Sequence, residues 1–283
     1  MIKKYIIFIL ILLVIYLILL NIKFKKARDL TFFRKKNTLN YWINSLKYER
    51  LNEKMYLVDK YTSKLYVQKY FPEIKVIKTL YLYEDPKDIH NINIPDYCVL
   101  KSTFGGGSLR NIIITPKNKI SKKKIELITT IWRKIKYGYK ILPYYSEPQY
   151  YGKNRIIIEE HMGNLNDYKF IIIKGKIAFI QLDINRFNHH RRNLYDEDWN
   201  LLDFTLGYNQ TNYKVEKPKT LEKMKEFCKK FYRKTKFEFV RIDLYEINNE
   251  IYFGEFTFTP FCGLVDFSNN YDKIMYDKYV KNI

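Results

Sequence analysis

Phe239-Val240-Arg241-Ile242-Asp243-Leu244-Tyr245-Glu246 and Ile251-Tyr252-Phe253-Gly254-Glu255-Phe256-Thr257 flank Asn248-Asn249 near the end of a 283-residue chain. Both runs are rich in strand-forming residues, and an Asn-Asn pair between two such runs marks a hairpin turn. The hairpin puts Asp243 and Glu255 on neighbouring strands, flanked by apolar residues. Two carboxylates held so close repel each other unless a cation lies between them, so at least one should have a raised pKa in an empty site. The pair reads as the polar face of an edge hairpin or as a seat for a hard cation. Mg2+ suits such a seat, taking one or two carboxylates and leaving positions for phosphate and water.

Working back from this hairpin, Phe170-Ile171-Ile172-Ile173 and Ile177-Ala178-Phe179-Ile180 predict a second one around Lys174-Gly175-Lys176. Short strands are expected at Ile74–Ile77 and Leu80–Tyr83, and longer ones at Tyr97–Lys101, Asn111–Ile114 and Arg155–Glu160. Helical spacing runs over 121–137 (Ile125, Ile128, Ile131, Trp132, Ile135) and 220–236 (Leu221, Met224, Phe227, Cys228, Phe231). Antiparallel hairpins interrupted by two helices predict an α+β fold.

Other features precede the hairpin in a fixed order. Lys101 ends a strand and leads into Phe104-Gly105-Gly106-Gly107-Ser108. A glycine loop lets backbone N–H groups approach phosphate oxygens, and a neighbouring lysine can neutralise them. The same loop serves equally as a flexible hairpin tip, and no Gly-Lys-Ser/Thr follows it to make a P-loop. Glu159 and Glu160 close an apolar strand, where carboxylates accept from an adenine amino group or ribose hydroxyls, or simply meet solvent. Asp167-Tyr168-Lys169-Phe170 follows, and Arg186 closes the strand after the next hairpin. Both Lys169 and Arg186 can face a polyphosphate, or simply sit on the solvated side of an alternating strand. Arg186 also opens the most basic loop of the body, Arg186-Phe187-Asn188-His189-His190-Arg191-Arg192, which is either a surface loop with exposed histidines or one whose His190 and Arg192 hold an acceptor carboxylate or a diphosphate carrier.

At these residues the chain resembles the ATP-grasp superfamily and, within it, the TupA-like ATP-grasp proteins of bacterial surface-polysaccharide genes. The resemblance runs from about Glu53 to Tyr271. Leu57-Val58-Asp59-Lys60-Tyr61, Val99-Leu100-Lys101, Asp167–Phe170, Asp183–Arg186, Tyr195–Trp199, Val240–Tyr245 and Phe253–Pro260 carry it. It implies ATP lying between two antiparallel-sheet subdomains. Lys101 would touch the α- and β-phosphates, with Gly105, Gly106, Gly107 and Ser108 covering the triphosphate. Glu159 and Glu160 would lie by adenine and ribose, with Asp167 a second ribose candidate. Asp243 and Glu255 would ligate Mg2+, with Thr257 standing where many superfamily members carry Asn, and Arg241 would stabilise the transferring phosphoryl group together with Lys169 and Arg186. Lys64 stands where the family leads one to expect Arg. The implied reaction joins an amine or amino acid to a carboxylate on a glycan or lipid-linked precursor through an acylphosphate.

Composition bounds the alternatives. With 47% hydrophobic and 17% aromatic residues the chain can bury a core. Its charge is 51 − 30 = +21, of which residues 1–36 supply 9 − 1 = +8, leaving 42 − 29 = +13 on the body. That excess keeps open a membrane-tethered, non-enzymatic polyanion binder, although such a protein would have no use for the Asp243/Glu255 pair; nucleic acid is not the expected partner. A glycosyltransferase of polysaccharide synthesis is the other alternative, but no DxD-type metal motif is present. Cys98, Cys228 and Cys262 have no metal-site or disulfide-framework spacing.

The run Tyr5–Ile22 is 18 residues long with Asn21 its one strongly polar member. It spans ~27 Å as a helix, close to a hydrocarbon core of ~30 Å. No small-x-small cleavage site follows, and the basic flank is heavier on the body side. The expectation is a single-pass anchor (1–22) in a bacterial cytoplasmic membrane with the body in the cytoplasm. A basic connector (23–52) then leads to the catalytic region (53–283), divided into a glycine-loop subdomain (about 98–157) and a metal-site subdomain (about 158–283).

Overall fold

The computed structural model describes Ile11 and residues 36–105, 110–134, 147–163, 165–184 and 189–281. The expected anchor apart from Ile11, and residues 23–35 of the connector, lie outside these residues, as do Gly106, Gly107, Ser108 and Arg186. Among the described residues no helix is long and apolar enough to cross a membrane.

Two sheets organise the body. In chain order the strands are β1 (Lys75–Val76), β2 (Thr79–Tyr83), β3 (Cys98–Ser102), β4 (Asn111–Ile114), β5 (Ile156–Glu160), β6 (Asp167–Ile173), β7 (Lys176–Ile184), β8 (Arg191–Tyr195), β9 (Phe239–Ile247) and β10 (Glu250–Thr257). The large sheet runs β1-β10-β9-β6-β7-β8 and the small one β2-β5-β3-β4. The small sheet is antiparallel. The large sheet is mixed, because β1 pairs parallel with β10, against the expectation of two purely antiparallel sheets. The chain passes from β1 to β2 through Ile77 and Lys78, so the two short strands expected at Ile74–Ile77 and Leu80–Tyr83 belong to different sheets. Thr79–Tyr83 and Glu159–Glu160 thus join the small sheet, outside the 98–157 stretch expected to form that subdomain.

The helices are α1 (Leu39–Ser45), α2 (Leu51–Val58), α3 (Thr62–Tyr70), α4 (Lys122–Lys134), α5 (Leu221–Thr235) and α6 (Tyr271–Tyr276). The apolar stripe of α5 (Met224, Phe227, Phe231) packs on Phe170, Ile242 and Phe256 of the large sheet. Its opposite face carries Ile171, Ile173, Phe179 and Phe239 beneath Leu39 and Ile43 of α1 and Met275 of α6. β6 is therefore buried along its whole length, which explains its unbroken Phe-Ile-Ile-Ile run. The burial of Leu39, Ile43 and Leu46 also corrects the connector: residues 39–46 belong to the core. In the small sheet Cys98, Leu100, Ile156 and Ile158 pack on Ile125 and Trp132 of α4.

Both predicted hairpins form. Lys174 and Gly175 turn at φ 47° and 81°, Asn248 and Asn249 at 53° and 60°, the left-handed pair that tight two-residue turns require. β10 then bulges. Phe253 lies opposite Leu244, but Glu255 and not Gly254 lies opposite Asp243. Without that extra residue Glu255 would face Ile242, on the apolar side. Gly254 permits the bulge, since a Cβ there would meet the Asp243 carbonyl oxygen and the Tyr245 ring at 3.0 Å.

Candidate active site

The face of the large sheet that carries Ile171 and Phe179 changes character one rung further along. There the register aligns Glu255, Asp243, Lys169 and Gln181 across four strands. The next rung aligns Asp167 with Asp183 and Arg192. These side chains form one wall of a cleft of about 260 Å³, and Lys60, Lys64, Lys101 and Glu159 form the facing wall. Among the described residues the cleft is lined by six cations (Lys60, Lys64, Lys101, Lys169, Arg192, Arg241) and six carboxylates (Glu147, Glu159, Asp167, Asp183, Asp243, Glu255). The body's basic excess therefore lies elsewhere.

The cation between Asp243 and Glu255 is Arg241. Its Nε donates to Asp243 Oδ1 at 2.6 Å, and Nη2 donates to Asp243 Oδ2 and Glu255 Oε1 at 2.8 Å each. Lys169 Nζ donates to Asp243 Oδ2 at 2.6 Å and also to Asp167. This overturns the expected repulsion. Burial favours the protonated form of Asp243, yet Arg241 and Lys169 outweigh it and hold the carboxyl below its ordinary value. The raised carboxyl is Asp167, where burial dominates and Lys169 compensates only in part. Lys169 itself is held above the usual lysine range: burial opposes its charge, and Asp167 and Asp243 prevail.

On the facing wall Lys101 Nζ lies 2.7 Å from Glu159 Oε2, and Lys64 pairs with the other oxygen. Lys64 also donates to the Ile77 carbonyl at 2.6 Å, clamping the crossover between the sheets. Glu159 is 2% exposed; burial pushes against its charge, but the two lysines keep its pKa low. Glu160 turns to the other face of β5, into a separate hollow with Lys78 and Tyr252. Gly105, at φ 118°, accepts from Lys60 Nζ through its carbonyl.

Sequence reasoning missed Lys60 and Asp183 as cleft residues. Asp59 accepts from the Tyr61 and Thr62 amides at 3.0 and 2.9 Å and from Arg155 at 2.9 Å, which turns the neighbouring Lys60 into the cleft. The Leu57–Tyr61 and Asp183–Arg186 stretches that carried the family resemblance were the available signals. Asp183 receives both expected substrate residues, Arg192 Nε at 2.7 Å and His190 Nε2 at 3.0 Å. Burial opposes its charge, but Arg192 brings its pKa down to about 2. The His190 ring also packs 3.9 Å from that of Tyr208.

The donor set fits magnesium arriving with a phosphate ligand. Asp243 and Glu255 supply two hard oxygens on adjacent strands, and the buried Thr257 Oγ1 beside them has no hydrogen-bond partner among the described residues. No cluster of three or more His, Cys, Asp or Glu able to hold a metal occurs among the described residues, so the ion would take part of its shell from its ligand.

Two sheets closing on a cleft with a lysine wall and a carboxylate wall define the ATP-grasp class, whose members work with ATP and Mg2+ as ligases. The TupA-like ATP-grasp family model matches residues 40–280, and the chain belongs to that family. No curated protein matches it. D-alanine–D-alanine ligase from Helicobacter pylori is similar in structure at TM-score 0.45 and 18% identity, over 80% of this chain and 59% of the ligase. The ATP-grasp ligase PsnB with its minimal precursor gives 0.42 and 10%, over 74% and 54%. N5-carboxyaminoimidazole ribonucleotide synthetase in its ADP complex gives 0.41 and 12%, over 71% and 45%. The chain thus spans about half of these structures' lengths. Likenesses this distant say nothing of substrate, and the family assignment stands on the sequence match.

Proposed function

We propose that the protein is an ATP- and magnesium-dependent carboxylate–amine ligase acting on a carboxylate of a glycan or lipid-linked precursor in bacterial surface-polysaccharide synthesis, with its body held at the cytoplasmic face of the membrane by residues 1–22. The observation that carries the reading is the Arg241-bridged Asp243/Glu255 pair facing Lys60, Lys64 and Lys101 across the cleft. Lys101 and Lys60 bind phosphate oxygens. Asp243 and Glu255, with Thr257 alongside, would hold Mg2+, which when bound neutralises phosphate charge. Arg241 steadies the γ-phosphoryl group as a carboxylate oxygen of the acceptor bonds to phosphorus and the bond to ADP breaks. Arg192 and His190, at the Asp183 end, orient that acceptor. The amine then attacks the acylphosphate carbonyl, phosphate leaves and the amine gives up a proton. Such chemistry asks for positioning, charge neutralisation and exclusion of water, with no protein nucleophile.

The test is ADP release by the full chain in detergent with ATP, Mg2+ and a panel of uronic acids and amino acids. Release that requires both cosubstrates supports the proposal. Consumption of a sugar nucleotide without ADP release would replace it with a glycosyltransferase.

A further inference from the structure

Helix α4 buries one face and leaves another uncovered. Ile125, Thr129 and Trp132 turn into the small sheet, whereas Leu127 is 62% and Ile131 45% exposed. Four residues apart, these two are neighbours on the helix surface. Lys123 and Lys124 lie one turn before Leu127, and Lys134 lies one turn after Ile131, so the apolar pair is bracketed by cations. Residues 117–134 carry seven Lys and Arg against Glu126 alone, 7 − 1 = +6, and Glu126 is engaged by His90 at 2.9 Å. Among the described residues Lys123, Lys124 and Lys134 make no ion pair. The cleft cannot use this face: Leu100 of β3 points to α4, while Lys101 points to the cleft from the other side of the sheet.

We infer that the Leu127–Ile131 face of α4 is a docking surface for an anionic lipid bilayer. Its charge selects that occupant. Apolar side chains framed by lysines let the stems lie along the acyl boundary while the ammonium groups meet anionic headgroups. A lysine near such a surface strengthens attachment about fivefold. Two apolar side chains and a few lysines hold a free protein weakly, but they orient one that is already tethered, because a tether makes docking intramolecular. The inference therefore rests on the reading of residues 1–22 as an anchor. Residues 23–35 reach at most ~45 Å when extended, which compares with a radius of gyration of ~18 Å for a body of this size. Docked in this way, the small sheet holds its lysine wall at a fixed height above the bilayer.

The test places the full chain in nanodiscs of phosphatidylcholine, with or without phosphatidylglycerol. Hydroxyl-radical labelling of Leu127 and Ile131 and acetylation of Lys123, Lys124 and Lys134 are read by mass spectrometry. The expected result is protection of at least about fivefold in the anionic discs, lost in high salt and in the Lys124→Glu/Lys134→Glu double variant. Equal labelling in both lipids overturns the inference. So does protection in detergent that grows with protein concentration, which would make the occupant a second copy. A chain that does not stay with the discs removes the anchor reading instead. Labelling with added phosphatidylglycerol vesicles then decides the docking surface by itself: protection upholds it, and none overturns it.

Discussion

On the small-sheet wall of the cleft three lysines, Lys60, Lys64 and Lys101, stand around one carboxylate, Glu159; on the large-sheet wall Lys169, Arg192 and Arg241 are set among Asp167, Asp183, Asp243 and Glu255. Leaving aside Glu147, which enters the cleft from the start of the Pro148–Tyr150 turn, the first wall carries 3 − 1 = +2 and the second 3 − 4 = −1. Both bury ions at a cost that only pairing offsets, but they leave opposite surpluses. A lysine wall with spare positive charge suits phosphates, and a carboxylate wall with spare negative charge suits the metal that accompanies them. The difference also lies in how each ion is held. Lys64 and Asp243 are buried and engaged by several partners, whereas Lys101 and Glu255 each keep one ion-pair partner and partial exposure. Each wall thus pairs a structural ion with one freer to meet a ligand.

The largest effects are expected on the carboxylate wall. Asp243→Asn and Glu255→Gln should both abolish Mg2+-dependent ADP formation, yet they should differ in stability. Asp243→Asn removes the anion shared by Lys169 and Arg241 and should cost about 3–5 kcal/mol. Glu255→Gln leaves Arg241 its two bonds to Asp243 and should cost less than about 1 kcal/mol. Denaturant melts of both variants, run beside an ADP-release assay, decide this. Equal stability losses would erase the distinction between structural and ligand-facing carboxylates.

On the lysine wall the same division is expected on a smaller scale. Lys64→Met strips a donor from the Ile77 carbonyl and from Glu159 and should lower stability by about 2–3 kcal/mol. Lys101→Ala leaves Glu159 paired with Lys64, so it should melt close to wild type while binding ATP about tenfold more weakly or worse. Calorimetry that finds ATP affinity unchanged in folded Lys101→Ala would remove that lysine from the phosphate site.

How far the sequence discloses this arrangement depends on the kind of feature. The hairpins at 174–175 and 248–249 and the stripe of α5 are local, and periodicity with turn chemistry exposes them. The Asp243–Glu255 pairing is legible only because a hairpin makes it nearly local, and even then the bulge at Gly254 sets it. Arg241 was visible beside the pair, but its place between the carboxylates depends on side-chain direction across two strands. Lys60 and Asp183 are less legible still. One enters through an Asp59 cap and the other through sheet order, and neither leaves a periodic trace. Glu160 shows the converse: adjacency to Glu159 suggests a shared role, whereas strand alternation sends the two to opposite faces.

Acid should strain the carboxylate wall through Asp183. Its folded pKa of about 2 lies below the ordinary 3.8, so its stabilising contribution is complete above the ordinary value and is lost as pH falls toward 2. The difference in unfolding free energy between wild type and Asp183→Asn should shrink by about 2 kcal/mol between pH 5 and pH 2. A difference that stays constant over that range would mean that Arg192 does not stabilise the charged form.

Alkali provides the smallest effect and separates the walls by sign. Burial depresses Lys60 and Lys64 below the ordinary 10.5, whereas Lys169, held by Asp167 and Asp243, lies above it. A lysine depressed in the folded state is penalised while charged. Its deprotonation relieves that penalty, so stability rises as pH climbs through the folded pKa toward 10.5. Lys169 works the other way, contributing stability that is intact below 10.5 and lost only as pH rises through its higher folded value. In the window just below pH 10.5 the ligand-free protein should therefore gain stability relative to Lys60→Met, because the variant lacks one of the penalised charges. Over the same window ATP affinity should fall faster in wild type than in the variant, since phosphate needs the protonated lysines. The carboxylate wall stays intact meanwhile, so any loss of affinity there belongs to the lysines. Parallel melting and ATP-affinity curves for wild type and Lys60→Met would show instead that this lysine titrates as an ordinary surface group, and that the positive wall is open to water.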